Sequence, residues 1–134
     1  MLAVVLPQCA SLAHLDFGSN GIAAEEVGTL ATVLPQCSSL AHLNLYWNRI
    51  GDERATMLVE VLPQCASLAH LNLGYNRIGA EGAGRLAAGL GQCASLAHLD
   101  LRVNWIGDES YEGAGRLAAV AEDCPSLTIC FDRS

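Results

Sequence analysis

The chain has 134 residues, of which 51% are hydrophobic, and this is enough to build the core of one domain. Fourteen acidic residues against seven arginines, with no lysine, give a net charge of −7, which argues against binding to nucleic acid or to an anionic membrane. The apolar stretch before Pro7 is too short for a signal peptide or a membrane-spanning helix.

One short sequence motif occurs four times, at a spacing of 28 residues. Each copy reads Cys-(Ala/Ser)-Ser-Leu-Ala-His-Leu-(Asp/Asn)-(Leu/Phe), and the copies begin at Cys9, Cys37, Cys65 and Cys93. A fixed period of this size indicates units of one supersecondary element each, which bury their apolar faces only against neighbouring units. The sequence therefore predicts a single repeat domain over 1–134, made of a partial repeat at 1–8, repeats that start near 9, 37, 65 and 93, and a degenerate closing unit at 124–134.

Each repeat opens with alternating polar and apolar residues, as in His42 to Leu45. This period of two predicts a short strand that is buried on one face. Three residues after the strand comes an asparagine, whose side-chain amide can satisfy backbone groups where the chain turns. The residues predicted to point inward are Leu15, Phe17, Leu43, Leu45, Leu71, Leu73, Leu99 and Leu101, and the turn asparagines are Asn20, Asn48, Asn76 and Asn104.

A helix is predicted in the second half of each repeat, because small and apolar residues recur there at spacings of three and four. Pro35 and Pro63 are predicted to end the preceding helices, since proline cannot continue one. Glu81 and Arg85 are spaced to form an ion pair on the exposed side. The predicted buried stripes are Val27, Leu30, Ala31 and Leu34; Ala55, Leu58, Val59 and Leu62; Gly82, Ala83, Leu86, Ala87 and Leu90; and Ala114, Leu117, Ala118 and Ala121.

The end of the chain departs from the repeat pattern. The fourth repeat carries three extra residues around Ser110, Tyr111 and Glu112. In the segment that follows Leu127, Cys130 and Asp132 are aligned with two inward leucines. The apolar columns are therefore predicted to stop in this unit.

The repeats match the pattern L-x-x-L-x-L-x-x-N-x-L four times in register, as in Leu40 to Ile50. The chain resembles leucine-rich repeat proteins of the ribonuclease-inhibitor-like subfamily, whose units carry a full helix. Within this subfamily, its repeat sequence is most similar to the repeats of NOD-like receptors. The resemblance implies an α/β fold, a curved horseshoe arc with parallel strands on the concave face and α-helices on the convex face. The same subfamily includes Ran GTPase-activating proteins, but no residue here can be carried over to that activity.

Five of the six cysteines occupy the same place in successive units. A reduced cysteine in such a column acts as a small buried hydrophobe. The pattern therefore predicts structural thiols in a cytoplasmic protein rather than a disulfide framework. Cys130 stands outside the column and is predicted to be the most reactive of the six.

Four histidines form a column on the predicted concave face, and a ladder of neutral, mutually hydrogen-bonded rings is expected there. One ring per strand does not converge as zinc ligands must, so no metal and no cofactor is predicted. A cysteine–histidine catalytic site is not predicted either, because Cys65 should face inward while His70 points outward. The concave histidine ladder consists of His14, His42, His70 and His98.

The repeats differ from one another chiefly in the loops that follow the strands, where aromatic residues and arginines replace small ones. Trp, Tyr and Arg are the residue types enriched in binding hot spots. Eleven of the 14 acidic residues fall instead on the predicted helices or the loops that lead into them. The predicted partner-binding residues are Tyr46, Trp47, Arg49, Tyr75, Arg77, Arg102 and Trp105.

These observations predict a non-catalytic module that binds a protein partner through its strand-side surface. Neutral drift at solvent-exposed positions is the simpler reading of the same variation. The alternative function is a structural module that forms homo-oligomers through the ends of the repeat stack, because an uncovered strand edge invites pairing.

Overall fold

The computed structural model of the protein describes residues 13–19, 21, 24–107 and 112–131. Five parallel strands form one sheet in chain order, with a helix between each successive pair, so the predicted α/β leucine-rich-repeat solenoid is confirmed. The strands are His14–Asp16 (β1), His42–Asn44 (β2), His70–Asn72 (β3), His98–Asp100 (β4) and Thr128–Cys130 (β5), and the helices are Ala24–Val33 (α1), Gly51–Val61 (α2), Ala80–Leu90 (α3) and Glu112–Asp123 (α4). The predicted partial repeat at 1–8, the start of the next repeat at 9, Asn20, the insertion around Ser110 and Tyr111, and Asp132 lie outside the described residues.

Equivalent residues of successive repeats lie side by side in the sheet. Leu43 of β2, for example, pairs in register with Leu71 of β3. The inward leucines of three repeats are buried as predicted, namely Leu43, Leu45, Leu71, Leu73, Leu99 and Leu101. Leu15 and Phe17 are only partly buried against this core. The opposite face of the sheet, which carries His42 and its equivalents, is called the open face below.

Helices cover the other side of the leucine columns through the predicted stripes. Val27, Leu58 and Leu86 are among their fully buried members, whereas Ala118 and Ala121 of α4 are only partly buried. None of the helices within the described ranges is long and apolar enough to cross a membrane.

The helix ends and the exposed helix faces also follow the sequence. Helices α1 and α2 pass directly into 3₁₀ turns at Leu34–Gln36 and Leu62–Gln64, each of which contains the predicted proline. On the exposed side of α3, Arg85 Nη2 lies 2.7 Å from Glu81 Oε1. Such exposed pairs contribute only a few tenths of a kcal/mol, about 0.3–0.5, so they do not determine the fold.

The closing strand β5 differs from the sequence prediction. Ile129, and not Cys130, lies beside Leu99 in the sheet, and both Ile129 and Phe131 are buried. The prediction that Cys130 replaces an inward leucine is wrong, because this unit lacks one residue between Leu127 and the strand. The apolar columns therefore continue through β5 instead of stopping before it.

The first turns of α3 and α4 are in direct contact. Gly113 in α4 lies against the backbone of Ala80 in α3, and a β-carbon at this glycine would overlap the Ala80 carbonyl oxygen. Gly84 has room, since a β-carbon there would meet its nearest atoms at 3.9 and 4.0 Å. A small residue is therefore required for close helix packing at 113 but not at 84.

Candidate functional site

Asparagine side chains hold the loops that follow the strands. Asn76 is fully buried, and its Oδ1 accepts hydrogen bonds from the backbone N–H groups of Asn48 (2.8 Å) and Ile50 (3.2 Å). Its Nδ2 donates to the carbonyl oxygen of Leu45 (2.8 Å) and to one carbonyl of its own loop (2.9 Å). The pattern occurs again one repeat later at Asn104. The predicted role of these asparagines is confirmed, and each loop is tied to the loop of the preceding repeat.

The residues on both sides of Asn48 and of Asn76 have left-handed backbone conformations. The φ angles are 59° at Trp47 and 56° at Arg49, and the equivalent Tyr75 and Arg77 have 57° and 61°. A residue with a β-carbon costs roughly 1–2 kcal/mol in this conformation, whereas glycine, found at Gly21 with φ 58°, avoids that cost. Nothing in the repeat pattern indicated this strain.

The predicted partner-binding residues lie where β2, β3 and β4 pass into these loops. Backbone pairing continues into them, since the Trp47 N–H donates to the carbonyl of Gly74 (3.0 Å) and the Tyr75 N–H to that of Arg102 (2.9 Å). We call this surface the aromatic–arginine edge, and it consists of Tyr46, Trp47, Arg49, Tyr75, Arg77, Arg102 and Trp105.

Three rings of the edge form one cluster. The ring centroids of Trp47 and Tyr75 are 5.2 Å apart, and those of Tyr46 and Tyr75 are 6.0 Å apart in an edge-to-face arrangement. Tyr46 is half-buried over Gly74, where a β-carbon would come within 3.0 Å of its ring. Trp47 and Tyr75 remain 50% and 43% exposed, so the cluster presents a broad apolar surface to solvent.

The remaining members of the edge are arginines and a second tryptophan. The Arg77 guanidinium lies 5.9 Å from the ring centroid of Trp105, which is 68% exposed. Arg102 differs from Arg77, because its Nη2 and Nε donate to the carboxylate of Asp100 (2.8 and 3.1 Å). Trp105 also differs from the equivalent arginines, since it pairs with Gly79 in an isolated parallel bridge.

A column of Asp and Asn side chains lies beside the edge on the open face, and its role was missed in the sequence. Each Oδ1 accepts the backbone N–H two residues later, where the strand ends. The distances are 2.8 Å for Asp16, 2.9 Å for Asn44, 2.8 Å for Asn72 and 3.0 Å for Asp100. The sequence signal is that every repeat has Asp or Asn at the last strand position, two residues before the loop begins. An Asp or Asn side chain that accepts the N–H two residues later is typical of Asx turns.

The histidines form the predicted column on the open face. The ring centroids of His14 and His42 are 4.1 Å apart and those of His42 and His70 are 4.3 Å apart, with the planes within 8° of parallel. His98 is tilted by 40° at 5.9 Å from His70. The expectation of mutual hydrogen bonds is wrong for His42, because the rings stack face to face and its buried Nδ1 has no hydrogen-bond partner. The column lines a shallow groove of about 280 Å³.

Stacking affects the ionisation of the middle ring. Loss of solvent around His42, followed by repulsion from His14 and His70, lowers the pKa of His42 below its ordinary value. At Asp100, burial alone would raise the pKa, but the hydrogen bonds and charge of Arg102 outweigh that effect, and the pKa is lowered. The two groups therefore titrate in separate pH ranges.

We expect mild acidification to lower the free energy of unfolding. Because the pKa of His42 is lower in the folded chain, the unfolded chain binds more protons, and stability falls as the pH drops below about 6.5. The Asp100 contribution is lost only at lower pH, below about 4. Urea denaturation at neutral pH and at about pH 5, at constant ionic strength, measures the histidine effect. A His42→Gln variant should lose much of it, and equal stability of the native chain at both pH values would contradict the prediction.

The column cysteines Cys37, Cys65 and Cys93 are buried where the helices end rather than placed near the histidines. Cys65 Sγ donates to the carbonyl oxygen of Val61 at 3.4 Å, and burial raises the pKa of Cys65 and of Cys93 to about 11. No disulfide joins any of the cysteines within the described ranges. Cys124 and Cys130 are only partly buried.

The described part of the chain contains no group of three or more His, Cys, Asp or Glu side chains arranged to hold a metal ion. The geometry of the histidine column explains this, since stacked rings direct their nitrogen atoms side by side rather than toward a common point. What the open face and its edge present is a polar groove bordered by exposed rings and guanidinium groups.

The Leucine Rich repeat family model matches residues 36–58, 64–87 and 92–113, which together make up just over half of the chain. The protein therefore belongs to the leucine-rich repeat family. No curated protein sequence matches this chain.

Solved structures with the same fold include two domains of known proteins. The tropomodulin C-terminal domain of Caenorhabditis elegans matches with a TM-score of 0.84 at 17% identity, over 98% of this chain and 80% of that one. The actin-binding site 2 of leiomodin-1 matches with a TM-score of 0.77 at 16% identity, over 97% of this chain and 76% of that one. At these identities the similarity shows the fold alone.

Proposed function

We propose that the protein is a non-catalytic interaction module that binds a protein partner through the aromatic–arginine edge. Large exposed rings and guanidinium groups are the side chains that contribute most to protein interfaces. Here they form two groups along one edge of the open face, with Trp47 in contact with Tyr75 and Arg77 over Trp105. Drift at exposed positions does not require such contacts between residues of different repeats.

The observation that carries the proposal is the left-handed backbone beneath the exposed side chains. Trp47, Tyr75 and Arg77 occupy positions where glycine would be more stable by roughly 1 kcal/mol each. Burial of the side chains returns only part of that cost, because Trp47 and Tyr75 remain about half exposed and Arg77 is exposed as well. Ser19 and Val103 share this conformation, so the repeat loop imposes it, and what a partner accounts for is the presence of large aromatic and arginine side chains at positions that favour glycine.

We expect Trp47→Ala to remove partner binding while leaving the fold intact. A central aromatic anchor contributes about 2 kcal/mol or more to an interface, which corresponds to a loss of about 30-fold in affinity. The chain and its variant serve as baits in pull-downs from a cytosolic extract, and thermal unfolding of both is followed by circular dichroism.

Met57→Ala is the matched control, since Met57 is also an exposed apolar residue but lies on α2, away from the edge. Proteins retained by the native chain and by Met57→Ala, and lost with Trp47→Ala, support the proposal. If Trp47→Ala binds the same proteins, or if it unfolds, the assignment of Trp47 to a contact surface is wrong.

The non-catalytic and cytoplasmic parts of the proposal rest on the cysteines and histidines. Buried thiols with a pKa of about 11 at Cys65 and Cys93 are not ionised at neutral pH and do not face the histidine column. Reduced thiols in every described repeat fit a cytoplasmic protein better than a secreted one. The net charge of −7 favours a protein partner over nucleic acid or a membrane surface.

Within the leucine-rich repeat family, we place the chain nearest the ribonuclease-inhibitor-like subfamily and its NOD-like-receptor repeats. The support is the 28-residue unit with an α-helix of 10 to 12 residues in each repeat. The leiomodin-1 domain of the same fold is an actin-binding site, so actin is one defined partner to include in the binding experiments.

Self-association through the ends of the sheet is a second candidate function. Leu15 and Phe17 of β1 are only partly buried, while their equivalents Leu43 and Leu45, whose strand lies between β1 and β3, are fully buried. A second copy that covers β1 would complete this burial. The candidate requires a molar mass that rises with concentration in light scattering, and a constant monomer mass excludes it.

A further inference from the structure

Two arginines of the aromatic–arginine edge differ from the other arginines that the structure describes. Arg85 and Arg116 pair with glutamates on their own helices, Arg102 pairs with an aspartate, and Arg54 donates to a backbone carbonyl. Arg49 and Arg77 form no hydrogen bond or ion pair with any of the described residues. The Arg77 guanidinium lies over the ring of Trp105.

These two guanidinium groups occupy equivalent positions in adjacent repeats. Both lie in left-handed backbone conformation and both are exposed. Adjacent parallel strands are about 4.8 Å apart, so Arg49 and Arg77 can engage groups that are a few ångströms apart on one ligand. Guanidinium groups bind carboxylates through paired charge-assisted hydrogen bonds.

The aromatic cluster borders the same cations. Trp47 precedes Arg49 by two residues, and the Trp105 ring lies under Arg77. A ligand that reaches both arginines therefore also covers exposed aromatic surface. Such a ligand combines acidic groups with aromatic or proline rings that pack on Trp47, Tyr75 and Trp105.

We infer that the aromatic–arginine edge binds an extended acidic protein segment, in which carboxylates at alternate positions meet Arg49 and Arg77 and an aromatic or proline residue packs on Trp47 and Tyr75. In an extended segment, side chains at alternate positions point to the same side and are about 7 Å apart. The backbones of Arg49 and Arg77 are one strand spacing apart, about 4.8 Å, and their long side chains can spread to reach both carboxylates. This inference rests on the proposed function and specifies the chemistry of the partner.

Charge distinguishes this occupant from single-stranded nucleic acid, which also binds aromatic and arginine side chains. Most of the acidic residues lie on the helix side, and the net charge of the chain is −7. A polyanion with a charge on every nucleotide is repelled by this field over its whole length, whereas a short segment needs only two carboxylates at the edge.

A library of short random peptides displayed on phage tests the inference, with the full chain as the immobilised bait. We expect the selected peptides to be enriched in Asp and Glu together with Trp, Tyr, Phe or Pro, relative to the unselected library. A parallel measurement with a mixed-sequence single-stranded oligonucleotide should show much weaker binding than the selected peptides.

Fluorescence anisotropy with the tightest selected peptide then measures the role of each cation. The double variant Arg49→Gln/Arg77→Gln should bind about tenfold more weakly, and a peptide with Asn and Gln in place of its acids should lose a similar factor. Arg85→Gln, which removes an arginine on the helix side, is the control and should bind like the native chain. Added salt should weaken the native complex more than the double variant.

Selected peptides without acidic enrichment, no selected peptide at all, tighter binding of the oligonucleotide, or an unchanged affinity of the double variant would overturn the inference. The proposed function fails in a different way. If Trp47→Ala loses the peptide while the arginine variants keep it, the edge is an interaction surface for a partner of other chemistry. If neither change affects binding, both the inference and the proposed surface are wrong.

Discussion

Asn76→Ala is expected to destabilise the protein by about 4 kcal/mol, the largest effect of any single substitution considered for this chain. Asn76 is fully buried, and its side chain satisfies two backbone N–H groups and two backbone carbonyls. Alanine leaves the two N–H groups without an acceptor, whereas each carbonyl keeps a second donor, the Asn48 Nδ2 for Leu45 and the Trp47 N–H for Gly74. Each unsatisfied buried group costs about 1–3 kcal/mol before local rearrangement. Because small domains have a total stability of about 5–15 kcal/mol, the variant should be close to unfolding.

Asn72→Ala is the matched control, since Asn72 lies in the same repeat but on the open face. Its Oδ1 accepts one hydrogen bond, from the N–H of Gly74 at 2.8 Å, and its side chain is only half-buried. We expect a loss of about 1 kcal/mol. Urea denaturation of both variants measures the difference, and similar losses for the two would contradict the role assigned to Asn76.

Gly113→Ala is expected to destabilise the chain by about 2–3 kcal/mol. A β-carbon at Gly113 overlaps the carbonyl oxygen of Ala80, which belongs to the backbone and has no rotamer by which to move aside. Helix α4 must shift away from α3, and the packing of Ala114 and Leu117 beneath it is then disturbed.

Gly84→Ala is expected to stabilise the chain, although it is the same substitution as Gly113→Ala. Its β-carbon has room, and alanine is more favourable than glycine inside a helix by about 1 kcal/mol. We therefore expect Gly84→Ala to raise the thermal midpoint and Gly113→Ala to lower it, as measured by circular dichroism. A stabilising Gly113→Ala would show that the two helices are not in close contact.

The strands, helices and buried leucine columns could be predicted from the sequence, because each repeat carries the same signal three or four times. The closing unit lacked this support. A single missing residue after Leu127 moves the whole strand by one position, so that Ile129 rather than Cys130 faces the core. Repeat spacing alone gives the wrong register here, although the alternation of apolar Ile129 and Phe131 with polar neighbours indicates the correct one.

The residues of the candidate site could be predicted from the sequence, but their backbone conformation could not. Variation among repeats identified Trp47, Tyr75 and Arg77, and the structure brings their side chains together across repeats or over neighbouring rings. Their left-handed backbone could not be predicted, because the turn residues that usually indicate it are glycine and asparagine. The stacking of the histidine rings depends on side-chain rotamers, which repeat spacing does not determine.

The hydrogen bonds of the turn asparagines run in one direction along the array. The Oδ1 of Asn76 is the acceptor for the loop that carries Trp47, and the Oδ1 of Asn104 is the acceptor for the loop that carries Tyr75. Loss of one asparagine therefore removes the acceptor of the loop in the preceding repeat and leaves the acceptors of later loops in place. The loop that carries Trp47 should accordingly loosen when Asn76 is replaced, while the loop that carries Tyr75 keeps its anchor on Asn104.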